Sequence, residues 1–323
     1  MSDDGFDPND VWSSIPIQRL SRDIRAAAAT LSADEARYLV DAYYIMQEDR
    51  KRAGGQQRSL LASGEPHSVI NWLFAQSGTL EKQIKSALDV YTDAHLMGSW
   101  MRQIYGIGPV LSAGLLAHIY MGEWCKVCHG HDLADHERRL ADKKAKHSPH
   151  EWQPVYSCPT VSHIWSFAGW AGKDQKKWEK GNKRPFNAKF RTLLWKCGQS
   201  FMKFHNKPEC FYGHLYAEYK AKKTAENDSG GYLQRANELV RNASANYKKT
   251  DAYKLYNLHG KLSPGHIDNM ARRYAVKLFL AHLHNEWYTR DTGQPPPAPY
   301  PMQILGHAHF IPPPVPPAPA ARP

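Results

Sequence analysis

Apolar residues recur along most of this chain at three- and four-residue intervals, the spacing that gathers one face of an α-helix. Ser32 and Glu35 form an S-x-x-E capping pair. They open a helix predicted to run through about Arg52, with Ala36, Leu39, Val40, Tyr43 and Met46 as its inward stripe. Gly54 and Gly55 are expected to end it. A shorter helix is expected over residues 68–75, and Thr79 reads as the cap of a stronger one, with Leu80, Ile84, Leu88 and Tyr91 on one face. Further on, Phe190, Leu193, Leu194, Cys197, Phe201 and Phe204 fall at i, i+3, i+4, i+7, i+11 and i+14. Lys189, Lys196 and Lys203 run seven apart beside that face. Residues 225–231 are a polar, glycine-containing break. Ser263 and Pro264 suit the N-cap and first turn of a last long helix, with Ile267, Met270, Ala271, Tyr274 and Leu278 facing inward. There is no convincing strand alternation and no internal repeat, so the predicted fold is mostly α-helical.

One break in this pattern carries chemistry. Met101 and Ile104 precede, and Ser112 and Leu115 follow, the turn Tyr105-Gly106-Ile107-Gly108-Pro109. This is the pattern of a helix-hairpin-helix. Two glycines allow a bend too tight for a Cβ. Pro109 presets the first turn of the second helix, where its missing N–H costs nothing. The free N–H groups at that helix start, with the dipole behind them, suit a phosphate oxygen. Val110 stands where many such hairpins place a lysine, so Gly106, Ile107, Gly108 and Val110 would act through the backbone alone. A plain helical turn that touches no ligand is the alternative reading.

Composition changes at Glu123. Residues 123–163 are rich in Cys, His and charge and poor in aliphatics. Cys125 and Cys128 form a C-x-x-C, and Cys158 and His163 would complete a tetrahedral Cys₃His set for a structural zinc ion, with His129 or His131 able to replace His163. A surface loop with free cysteines is the alternative. Cys197 and Cys210 lie on other elements and read as packing residues. From about Asp291 the chain holds twelve of its 22 prolines, which predicts an extended or disordered tail. That tail is read first as a solubilising extension and secondly as a ligand for a proline-motif-binding partner. The expected organisation is a helical region over 1–95, the hairpin over 96–122, the Cys/His-rich insertion over 123–163, a basic helical region over 164–290 and the tail over 291–323.

Charge adds a partner class. The formal net charge is +11, and residues 173–207 hold eleven Lys/Arg against Asp174 and Glu179, a net +9. A concentrated basic block is the electrostatic footprint of a nucleic-acid binder. Five cysteines do not make a secreted disulfide framework, the N-terminus is acidic without an apolar core, and no apolar run reaches membrane length. A soluble, cytoplasmic protein with no membrane partner is therefore expected. Catalysis has little local support. The acids Asp23, Asp34, Asp41 and Asp49 fall on predicted surface faces of helices. There is no GxxxxGK[ST], HExxH or GxSxG motif.

Four stretches taken in order resemble a known family. They are IYGIGPVLSAGLLAHI at 104–119, IWSFAGW at 164–170, EKGNKRPFNAKFRTLLW at 179–195 and ARRYAVKLF at 271–279. Together they resemble the C-terminal domain of DEDD-type, Piv-related insertion-sequence transposases (the IS-one-ten family). The resemblance spans roughly residues 80–290, interrupted by the Cys/His segment. It implies nucleic-acid binding through Gly106, Ile107, Gly108, Lys180, Lys183, Arg184, Lys189 and Arg191, to which the charge pattern adds Lys196 and Lys203. Two departures weaken the family's chemistry here. The N-terminal part reads as helices rather than a four-acid nuclease domain, and no serine occurs between Trp170 and Ser200. The expected function is thus nucleic-acid binding, on DNA with RNA left open, without catalysis, with a structural zinc ion as the one candidate cofactor and room for a homo-oligomer. Two alternatives stand: an active transposase or recombinase with diverged catalytic residues, and a helical protein-interaction scaffold.

Overall fold

A computed structural model describes residues 19–62, 64, 67–121, 158, 160–170, 178, 181–291, 295–296 and 311–314, with the backbone of 123–125, 154–156 and 292. The chain divides into two compact units. The first comprises Met1–Arg102 and Gly108–Ile119; the second comprises Gln103–Ile107 and Tyr120–Pro323. The described residues are mostly helical, as the periodicity predicts.

In the first unit, α1 (Arg22–Ala27) and a 3₁₀ turn (Ala28–Thr30) lead into α2 (Ala33–Leu61). The capping box is present: the Ser32 N–H donates to Glu35 Oε2 at 2.8 Å, and the Glu35 N–H donates to Ser32 Oγ at 3.3 Å. Ala36, Val40 and Tyr43 are buried. The expected stop at Gly54 and Gly55 is not one, because α2 runs through both glycines to Leu61. A Cβ on Gly54 would lie 3.0 Å from Phe74 Cε2, so this glycine allows close helix packing instead of breaking a helix. The next helix also differs from expectation. Residues 68–75 and the segment after Thr79 form one helix, α3 (Ser68–Ala94), capped by His67, whose Nδ1 accepts from the Val69 N–H at 3.2 Å. Leu88 and Tyr91 are buried, but Leu80 is exposed and Glu81 takes the inward position. Glu81 is held there by Arg50 and Gln47 of α2. Burial raises the Glu81 pKa, and hydrogen bonds from Arg50, Gln47 and Tyr43 more than offset this, leaving it below its ordinary value. After α4 (Gly98–Gln103), α5 (Pro109–His118) is buried almost along its whole length and packs on α2 and α3.

The second unit contains a short antiparallel ribbon, β1 (Glu123–Cys125) with β2 (Pro154–Tyr156), in register Trp124↔Val155. Three residues per strand are too few to show an alternation in sequence. Its described helices are α6 (Val161–Phe167), α7 (Ala188–Lys203), α8 (Phe211–Asp228), α9 (Leu233–Arg241), α10 (Asp251–His259) and α11 (Pro264–Thr292), with a 3₁₀ turn at Tyr247–Lys249. The face predicted for α7 is the buried one: Phe190, Leu193, Leu194, Cys197 and Phe201 are all buried. Phe201 meets Tyr212 of α8 at 5.1 Å and Phe279 of α11 at 5.6 Å between ring centroids. Such large rings dominate core energetics. A second cluster joins Ala236, Tyr256, Leu262 and Ile267. Asn227 locks the chain beside it, donating to the Leu262 carbonyl at 3.0 Å and accepting from the Leu262 N–H at 2.8 Å. That fixes the start of α11, where Ser263 Oγ accepts from the His266 N–H at 3.3 Å, the cap read from the sequence. Most of the Cys/His-rich segment and of the proline-rich tail lies outside the described residues; 311–314 is non-helical. Among the described residues, no helix is long and apolar enough to cross a membrane.

Candidate functional site

The Gly-Ile-Gly turn has two unlike halves. Gly106 has φ +93°, and its carbonyl accepts from Ser200 Oγ at 2.5 Å. A Cβ there would lie 3.2 Å from Ser200 Oγ and 3.5 Å from Phe201 Cδ1. The neighbouring Tyr105 ring meets Phe204 edge-on at 5.4 Å, and Cys210 Sγ lies 3.8 Å from the Tyr105 carbonyl. This half is therefore held by packing on α7. Gly108 is the opposite case. It is exposed, extended at φ −86° and ψ 177°, and nothing lies within 4 Å of a Cβ placed on it. It forms the N-cap of α5, with Pro109 at the first position and the Ser112 N–H donating to the Gly108 carbonyl at 2.9 Å. The Val110 and Leu111 amides belong to the turn that helix geometry leaves without intrahelical acceptors. The side chains of Ile107 and Val110 are buried, so only their main chain bears on the surface question.

The basic residues of 181–207 number seven, and that stretch holds no Asp or Glu. Lys183, Arg184, Lys189, Arg191 and Lys203 are exposed and Lys196 is half-buried; Lys180 lies outside the described residues. Where partners of these groups are seen they are aromatic rings. The Arg184 guanidinium lies 5.0 Å from the Trp178 ring centre, Arg191 4.8 Å from Phe186 and Lys203 Nζ 5.4 Å from Phe204. In the first unit, by contrast, Arg37, Arg50, Lys51, Arg52 and Arg102 all sit on carboxylates. A cation on a ring keeps its charge available to an anion, whereas a cation in an ion pair has spent it locally.

Arg191 also opens onto a cavity of about 490 Å³ within the second unit. Arg191, Trp195 and Gly198 of α7 form one wall, at i, i+4 and i+7. His266, Asn269, Arg272 and Arg273 of α11 form the facing wall. Trp170, Tyr247, Leu194 and Val276 also line it, and no carboxylate does so among the described residues. The walls stand close because α7 has no side chain at Gly198, where a Cβ would lie 3.2 Å from Arg272 Cβ and 3.3 Å from Val276 Cγ2. Arg272 is 14% exposed, pairs with Asp268 through Nη2 and leans on the Trp195 ring at 6.0 Å. Its Nε and Nη1 are buried with no hydrogen-bond partner among the described residues. An unmet buried donor costs about 1–3 kcal/mol, more when charged. Desolvation first, then the Arg191 charge, lowers the Arg273 pKa; Lys277 is lowered by burial and then by Arg273.

None of the cavity's α11 cations was singled out as a binding residue by the sequence reading. Their signal was an adjacent Arg272-Arg273 pair inside a helix whose other face is apolar, and a tryptophan, Trp195, on the cationic flank of α7. For zinc, Cys128 and the side chain of Cys125 lie outside the described residues. Cys158 is half-buried with Sγ 3.8 Å from the Tyr120 carbonyl, and His163 Nδ1 contacts Thr160 Oγ1 at 3.3 Å. Among the described residues, no group of three or more His, Cys, Asp or Glu gathers as a metal site. Burial pushes the Cys197 and Cys210 thiols up, which suits packing residues and not reactive thiolates. No family model, characterised protein or solved structure matches this chain.

Proposed function

We propose that this protein binds nucleic acid, DNA in the first instance, by its phosphate backbone and without doing chemistry on it. The observation that carries this reading is the exposed cationic stretch before and along α7, free of acids and resting on aromatic rings. Phosphate contacts of this kind give affinity and register with little base readout. Within the first unit, and taken by itself, the exposed Gly108 end of α5 offers main-chain donors of the sort that hold a phosphate, as a helix-hairpin-helix would. The order of motifs resembling a transposase C-terminal domain points to the same ligand. A structural zinc ion on Cys125, Cys128, Cys158 and His163 remains part of the proposal, its test being metal content of the purified protein.

The test is a salt-titrated binding curve on duplex DNA. If Lys183, Arg184, Lys189 and Lys203 each displace a counterion, affinity falls about a hundredfold between about 50 and 200 mM salt. Changing all four to Glu abolishes binding at the higher salt. An affinity that ignores salt, or survives the fourfold change, sinks the proposal.

A further inference from the structure

Building on the nucleic-acid reading above, we propose that the α7–α11 cavity takes one unpaired nucleotide of a bound strand, its phosphate on the arginines and its base against the tryptophan. Three observations carry this. The cavity, about 490 Å³, falls in the range of small-molecule sites. Its lining charge is one-sided: Arg191, Arg272 and Arg273 line it with His266, and Asp268, which pairs with Arg272, lies outside the lining. Arg272 in particular holds Asp268 with one nitrogen, and its Nε and Nη1 have no hydrogen-bond partner among the described residues. An anion with several acceptor oxygens meets such donors in fixed, planar geometry.

The second half of the ligand follows from the rings. Trp195 is 52% exposed, lines the same cavity as Leu194 and Val276, and has the Arg272 guanidinium 6.0 Å from its ring centre. A half-exposed tryptophan beside guanidinium groups is the arrangement on which unstacked bases lie. Asn269 stands on the opposite wall with a donor and an acceptor for a base edge. A paired base inside a duplex shows no face to this wall, so the site requires an unpaired one. A phosphotyrosine also joins a ring to a phosphate. The nucleotide is favoured because Asn269 offers the donor and acceptor that a base edge uses and a phosphotyrosine ring lacks.

The experiment measures fluorescence anisotropy of the full chain on four probes, a twelve-nucleotide single strand of DNA, the same strand as RNA, a blunt duplex of that length and a phosphotyrosine peptide, with a nucleoside monophosphate as competitor. The expected result is tighter binding of single strand than of duplex, competed weakly by the monophosphate. Trp195→Ala and Arg273→Gln should each weaken single-strand binding at least tenfold while duplex binding stays within twofold. Trp195→Phe should restore most of the loss, and all three variants should keep the wild-type circular dichroism melt. If Trp195→Ala fails to melt like the wild type, Arg273→Gln decides; if both fail, the wild type's preference for single strand over duplex, competed by the monophosphate, decides alone. Equal affinity for single strand and duplex, with both untouched by Trp195→Ala, overturns the cavity assignment and leaves backbone binding standing. Loss of binding to every nucleic-acid probe overturns both. Binding of the phosphopeptide alone, sensitive to Trp195→Ala, overturns the nucleotide in favour of a phosphoprotein partner.

Discussion

Two glycines two residues apart illustrate how backbone position decides a side chain's cost. Gly106→Ala must hold φ +93° and push a methyl toward Ser200 Oγ, so it is expected to cost about 1–3 kcal/mol. Gly108→Ala meets no neighbour at φ −86° and loses only the mild N-cap preference for glycine, about 0.5 kcal/mol. Urea melts of the two variants check this; equal midpoints would contradict it. His282 makes a second prediction at this scale. It is buried, meets the Tyr212 hydroxyl at 2.9 Å through Nδ1 and the Ile311 carbonyl at 2.8 Å through Nε2. Burial lowers its pKa, against the weaker opposing effect of the Ile311 carbonyl. The unfolded chain therefore takes up a proton near pH 6.5 that the folded chain refuses, and stability falls as pH drops below about that value. His282→Gln should flatten this fall between about pH 7 and 5 in thermal melts, even though it lowers stability at neutral pH.

At the scale of elements, the helix pairs are held by features that periodicity alone does not rank. The α2–α3 pair rests on Ala36, Val40 and Leu88 and on Glu81, whose side chain is 11% exposed beside Arg50. Removing one partner of such a pair strands the other, so Arg50→Met should destabilise by about 2–3 kcal/mol, less than a fully buried pair because Arg50 itself is one-third exposed. The double change Arg50→Met with Glu81→Leu should recover much of that loss, and a double-mutant cycle measures it. In the α7–α11 pair the close contact is at Gly198. Gly198→Leu overfills the space against Arg272 and Val276 and is expected to cost about 1–3 kcal/mol and to fill the cavity. If it leaves single-strand affinity unchanged, the cavity holds no base.

For the whole molecule the telling property is how charge is distributed. A formal charge of +11 spread evenly would be a statement about solubility. Here several cations of the first unit are neutralised by carboxylates of the same unit, whereas α7 carries four Lys/Arg and no acid. Such a surface is stabilised by any polyanion that binds only the folded state. Single-stranded oligonucleotide at a hundred times its Kd should add about 2.7 kcal/mol of stability, read as a rise in melting temperature. The rise should disappear with Lys183, Arg184, Lys189 and Lys203 all changed to Glu. A rise that persists in that variant would place the ligand elsewhere.

The sequence by itself determined the mostly helical class, several helix starts and faces, and the sign of the charge. Ser32 with Glu35, the run Phe190–Phe204 and Ser263-Pro264 act within a few residues of themselves, so local pattern states their outcome. The tertiary structure decided which faces of those helices meet. Gly54 continues a helix because Phe74 packs on it, Glu81 turns inward because Arg50 waits there, and Gly198 brings Arg191 and Arg272 to one cavity from positions 81 residues apart. Such pairings depend on which surfaces meet in space, a long-range choice set by packing volume and by the cost of an unpaired buried charge, and no window of neighbouring residues encodes either.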